Sequence, residues 1–197
     1  MNIINALAQE LNANEKYVEN VVQLLDEGNT IPFIARYRKE LHGAMDDTTL
    51  RTLEERLQYL RNLDERRESV KKSIAEQGKL TDELAAAIDS AKTLAEVEDL
   101  YRPYKQKRRT RATAAREKGL EPLAALLFAQ ERNCPRPEDA AQDFLSPEKG
   151  VDTVANALQG ASDIIAEQIS DDAVIRKALR DLLGRQGQLV SCAATEE

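Results

Sequence analysis

The residues best placed to do chemistry are eight cations within seventeen positions: Arg102, Lys105, Lys107, Arg108, Arg109, Arg111, Arg116 and Lys118. Against the single acid among them, Glu117, they give the segment RPYKQKRRTRATAAREK a charge of +7 in a chain whose total is −7, so the remainder stands at −14. Guanidinium and ammonium groups at this density hold phosphates, and the acidic remainder repels them, so the segment could grip nucleic acid, RNA or DNA, without reading its sequence. Charge alone is equally well satisfied by a solvated loop whose cations pair with neighbouring Asp and Glu. Tyr101 precedes the run and Tyr104 lies within it, and both could either stack on bases or pin the loop to the core. One observation separates the readings. Cations that point together into solvent favour nucleic acid, and cations met by carboxylates favour a structural role.

The rest of the chain offers little other chemistry. His42 is the only histidine, no GxSxG nucleophile motif accompanies it, and its place before Gly43 suits the end of a helix. Cys134 and Cys192 stand far apart and outside any CxxC pattern, which argues for reduced thiols and against a zinc site. There is no glycine-rich phosphate loop and no dinucleotide fingerprint. Paired acids such as Glu54 with Glu55 and Asp171 with Asp172 fit helix starts and exposed faces better than acid–base catalysis. The expectation is a non-enzyme with neither metal nor cofactor. No apolar run approaches the ~20 residues of a membrane span, and MNIINALAQELN lacks the basic start of a signal peptide, so a cytoplasmic protein is expected.

Helices must position the cations. With 42% hydrophobic residues, 4% aromatic and no Trp, the composition suits an all-α helical bundle. Ile3, Ile4, Leu7 and Leu11 mark one helix, and Val18, Val21, Val22 and Leu25 a second, opened by Asn12 and stopped at Gly28. One long amphipathic helix is expected over 47–77, with Leu50, Leu53, Leu57, Leu60 and Leu63 continued after a polar gap by Val70 and Ile74. So short a seam favours a bundle spine over a coiled-coil dimer, and Arg61 with Glu65, and Glu68 with Lys72, would decorate its outer side. Thr81 should cap the next helix, and Thr93 with Glu96 forms a capping box before Pro103 ends that element. Beyond the basic segment, shorter helices are expected at 120–130, 137–144, 152–168 and 171–183, a pattern like a small helix-turn-helix unit. Gly160 falls inside one of them, where it would allow close packing or a slight bend. These signals divide the chain into a helical region 1–118, a helical unit 119–190 and a tail 191–197.

Three strings carry a resemblance to a known family. TIPFIARYRKE at 30–40, LQYLRNLDERRESVKKSIAEQGKLTDEL, and TLAEVEDLYRPYKQKRRTRATAAREKGLEPLA at 93–124 resemble the N-terminal region of the bacterial Tex family of transcription accessory proteins, and the likeness continues through ALQGASDIIAEQISDDAVIRKALRDLL. The family's proteins are much longer, with an RNase-H-like YqgF domain, helix-hairpin-helix elements and an OB-fold RNA-binding domain downstream. The resemblance therefore implies an N-terminal fragment, all-helical with a helix-turn-helix-like unit, whose tail leads toward those domains. It implies a part in transcription with no catalytic residue in this region. The expected function is non-sequence-specific nucleic-acid binding through the basic segment. The alternative is a scaffold that positions downstream domains or binds proteins of the transcription machinery.

Overall fold

The computed structural model describes residues 2–105 and 108–192. Among them are twelve α-helices and no β-strand, so the all-α expectation holds. In chain order these are α1 Ile3–Glu10, α2 Glu15–Asp26, α3 Ile31–Tyr37, α4 Lys39–His42, α5 Asp47–Glu76, α6 Asp82–Ser90, α7 Leu94–Tyr101, α8 Arg111–Glu117, α9 Glu121–Ala129, α10 Pro137–Gln142, α11 Val154–Asp171 and α12 Ala173–Gln186. Short 3-10 turns lie at Arg102–Tyr104 and Pro147–Lys149, and an isolated bridge between Ser146 and Val151 closes the second. No described helix is long and apolar enough to cross a membrane.

Contacts group the chain into two compact units, Met1–Val97 and Glu98–Glu197. This partition follows packing, whereas the expected division at 118 follows charge and texture.

In the first unit the spine is α5, started by Asp46, whose carboxylate accepts from the Thr49 amide at 2.7 Å. Its stripe of Leu50, Leu53, Leu57, Leu60, Leu63, Val70 and Ile74 is buried against α1, α2, α3 and α6, so the seam is satisfied within the chain. The polar gap in that stripe is filled by Arg67, itself buried, whose guanidinium donates to the Ala91 carbonyl and to Asp64 at 3.2 Å. Two expected surface pairs are replaced. Arg61 grips Asp26 of α2 through two bonds of 2.7 and 2.8 Å, and Glu68 pairs with Lys71 at 2.6 Å. Arg61 changes partner because Asp26 offers a bidentate tertiary geometry, whereas Glu68 takes the lysine three residues on in place of the one four on. The start of α2 is also corrected. Asn14 accepts from the Lys16 amide at 3.0 Å, while Asn12 lies at φ 49° in the turn after α1. Thr81 caps α6 as expected, and Thr93 bonds the Glu96 amide while Glu96 reaches back to the Lys92 amide at 2.7 Å. His42 ends α4, but its ring is buried and neither nitrogen has a hydrogen-bond partner among the described residues.

The second unit is organised on α11. Ala157, Ala161 and Ile164 form a core with Ala112 and Ala115 of α8, Leu123 and Ala124 of α9, Ala140 and Ala141 of α10, and Val151. The expected turn at 169–171 is helical instead: α11 runs to Asp171, and Asp172 alone breaks the path by capping α12 through a 2.8 Å bond from the Ile175 amide. No residue of α12 is buried, and Ile175, Leu179, Leu182 and Leu183 remain exposed along it.

Candidate nucleic-acid interface

Seven of the seventeen residues of the basic segment form a helix. Thr110 accepts from the Thr113 amide at 3.0 Å and starts α8, Ala112 and Ala115 bury its inner face, and Gly119 at φ 84° ends it. The signal lay in the Thr110 cap, the three-residue alanine spacing and the glycine stop, which the density of charge obscured. Because α8 packs on α11, its cations are carried to a helix that presents Asp163, Glu167 and Asp171 at four-residue intervals along one face.

The consequence is pairing. Arg102 Nε lies 2.8 Å from Asp171, whose side chain is largely buried. Arg116 Nη1 lies 2.6 Å from Glu167 and its Nε 3.7 Å from Glu121, and Glu167 also accepts from the Thr110 hydroxyl at 3.0 Å. Arg109 meets Glu117 at 2.7 Å, with both groups largely exposed. Arg111 approaches Asp163 only to 3.8 Å and is 87% exposed, so that contact is weak. Lys118 Nζ donates to the Gly150 carbonyl at 3.0 Å. Lys105 and Arg108 are exposed and meet no carboxylate among the described residues. Lys107 lies outside the described residues. Tyr101 and Tyr104 are half-buried rather than standing free in solvent.

Four of the seven described cations thus meet carboxylates. The five acids involved leave the seven described cations a surplus of two. A cavity of about 530 Å³ beside the segment is lined by Lys105 and Arg116 but equally by Glu167, Asp171 and Asp172, which makes it a poor receptor for an anion. Among the described residues no group of three or more His, Cys, Asp or Glu side chains could hold a metal ion. The acids on α11 were missed from the sequence because they lie 51 to 69 residues from their partners. Their 163, 167, 171 spacing was nevertheless legible.

Comparison with known proteins gives two family matches: residues 1–75 match the Tex-like protein N-terminal domain, and residues 133–197 match the Tex central region-like model. Protein YhgF of Escherichia coli is 52% identical over 185 residues, covering 94% of this chain and 24% of that protein. The transcriptional accessory protein Tex of Neisseria gonorrhoeae is 48% identical over 192 residues, 96% of this chain and 24% of the relative. The human S1 RNA-binding domain-containing protein 1 is 31% identical over 182 residues, 91% of this chain and 18% of the relative. The chain spans about a quarter of the length of the bacterial relatives it matches.

Proposed function

The chain belongs to the Tex family, and from that premise we propose that it is a non-catalytic helical module of a cytoplasmic transcription accessory protein, acting as a scaffold for other domains or for proteins of the transcription machinery. The observation that carries this reading is that Glu167 and Asp171 of α11 meet Arg116 and Arg102 at 2.6 and 2.8 Å. Cations committed to carboxylates fifty or more residues away fix the geometry of a unit and are withdrawn from phosphates. The helix-turn-helix-like unit expected over 119–190 enters the reading as packing, since the buried face of α11 is spent on α8 and α9.

A second reading keeps nucleic acid at the outer side of the segment. It is favoured by Lys105 and Arg108, which meet no described carboxylate, and by Arg111, which is 87% exposed. A single set of variants separates the two. Under the scaffold reading Arg116→Ala lowers unfolding stability by roughly 1–2 kcal/mol, between the values for exposed and buried pairs. Alanine at Lys107, Arg108, Arg109 and Arg111 together then leaves oligonucleotide affinity unchanged across salt concentrations. Under the second reading that quadruple variant binds duplex and single strands more weakly, and each phosphate left unneutralised reduces the log–log salt slope by about 0.9 or about 0.7, respectively.

A further inference from the structure

A second group of cations, in the first unit, has escaped neutralisation. Helix α3 buries Ile31 and Ile34 and turns Arg36 and Tyr37 outward, with Tyr37 62% exposed. Phe33 and Tyr37, four residues apart, bring their rings to 5.3 Å between centroids at 46°. The Arg38 guanidinium sits 5.3 Å over the Phe33 ring and donates to the Tyr37 carbonyl at 3.3 Å, so it is held beside the aromatic pair. Lys39 follows at the exposed start of α4.

Several other cations of this unit find acids: Arg51 with Asp47, Arg56 with Glu10, Arg61 with Asp26, and Lys71 with Glu68 and Asp89. Arg36, Arg38 and Lys39 meet no carboxylate within ion-pair distance among the described residues. In a chain with 4% aromatic residues and no Trp, two rings are thus placed together beside three cations that form no ion pair among the described residues, with Glu40 the one acid next to them in sequence.

We propose that the Phe33–Lys39 face is a contact site for single-stranded nucleic acid, in which a base stacks on Tyr37 while the flanking phosphates lie against Arg36, Arg38 and Lys39. An exposed ring face beside a cationic track is the arrangement that binds single strands without sequence preference, since every base has a π-face and every nucleotide a phosphate. An acidic peptide would satisfy the cations but leave the open face of Tyr37 without a flat partner. The site shares no residue with the basic segment at 102–118.

The test is a titration of the whole chain against a labelled single-stranded twelve-nucleotide oligonucleotide at several salt concentrations. Tyr37→Ala should weaken binding about 5- to 100-fold, whereas Tyr37→Phe keeps the ring and should stay within about twofold of wild type. The variant with alanine at Arg36, Arg38 and Lys39 should lower the magnitude of the salt slope by about 0.7 for each phosphate it no longer neutralises. A Lys105→Ala, Arg108→Ala variant should bind as wild type does, which keeps this site distinct from the outer side of the basic segment. Because Tyr37 is exposed, circular dichroism of each variant should match wild type, and loss of helicity in Tyr37→Ala would shift the decision to the three-cation variant. Absence of saturable binding by the wild type overturns the proposal. So does a Tyr37→Ala variant that folds and binds normally, or Tyr37-dependent binding of polyglutamate in place of the oligonucleotide.

Discussion

Gly160 lies on α11 where an added Cβ would stand 2.3 Å from Cδ1 of Leu120 and 3.3 Å from Cβ of Ala115. Leu120 is 1% exposed and has little room to retreat, so the approach of α8 and Leu120 to α11 depends on the missing side chain. Gly160→Ala gains up to about 1 kcal/mol of helix propensity and loses about 1–3 kcal/mol to overpacking, so net destabilisation is expected. Chemical denaturation checks it, and a variant as stable as wild type would mean that Leu120 repacks freely. Of the two roles that the sequence allowed for this glycine, close packing or a slight bend, the contact with Leu120 and Ala115 supports the first. Gly43 is a different case. Its φ of 61° suits the end of α4, but the ring of Tyr17, within 2.3 Å of a hypothetical Cβ, lies 26 residues away and leaves no local mark. The same contrast explains Arg61, whose local partner Glu65 was legible and whose actual partner Asp26 was not.

At the scale of elements, α12 is attached in an unusual way. Two arginines anchor it to one carboxylate: Arg176 Nε bonds Asp99 at 2.6 Å, Arg180 bonds the other oxygen of the same group, and Arg176 also reaches the Ser170 carbonyl at 3.2 Å. Burial pushes the Asp99 carboxyl up, but the bonds from Arg180 and Arg176 outweigh it and hold the group below its ordinary value. A carboxylate lowered on folding stabilises above its unfolded pKa and loses that contribution as pH falls through the folded value, so the attachment should survive to below about pH 3.9. Asp99→Asn removes the charge at every pH and should weaken the attachment by about 1.5–3 kcal/mol. Hydrogen exchange reads this locally, as faster exchange over Val174–Gln186 with α11 unchanged. Unaltered protection of α12 would show that the apolar contacts of α11 suffice. Periodicity located α12 and the long helix α5 to within a few residues, because both repeat apolar residues at helical spacing. It missed α8, where the apolar side is only Ala112 and Ala115 and the charges dominate the eye.

Across the whole molecule, charge is distributed by folding rather than by sequence alone. The chain carries −7 and its most basic segment +7, yet α11 supplies carboxylates to that segment while the smaller cationic group around Tyr37 receives none. Density along the chain does not by itself say which cations meet carboxylates, because that pairing depends on helix packing that no local window reveals. The fold class was readable from helical periodicity and glycine punctuation, since both are local. The packing also divides, with Leu57 buried in the core of the first unit and Gly160 set against Leu120 in the second. Leu57→Ala should cost about 2–5 kcal/mol as a large-to-small core change, without altering the sedimentation behaviour of the chain, because its seam is already filled from within. Substitutions that share no partner add to within about 0.3–0.5 kcal/mol, so the Leu57→Ala, Gly160→Ala double variant should show the sum of the single effects. A double-mutant cycle by urea denaturation measures this. A coupling above about 1 kcal/mol would mean that the two cores are felt by one another, and that the division of the chain into two units does not extend to its energetics.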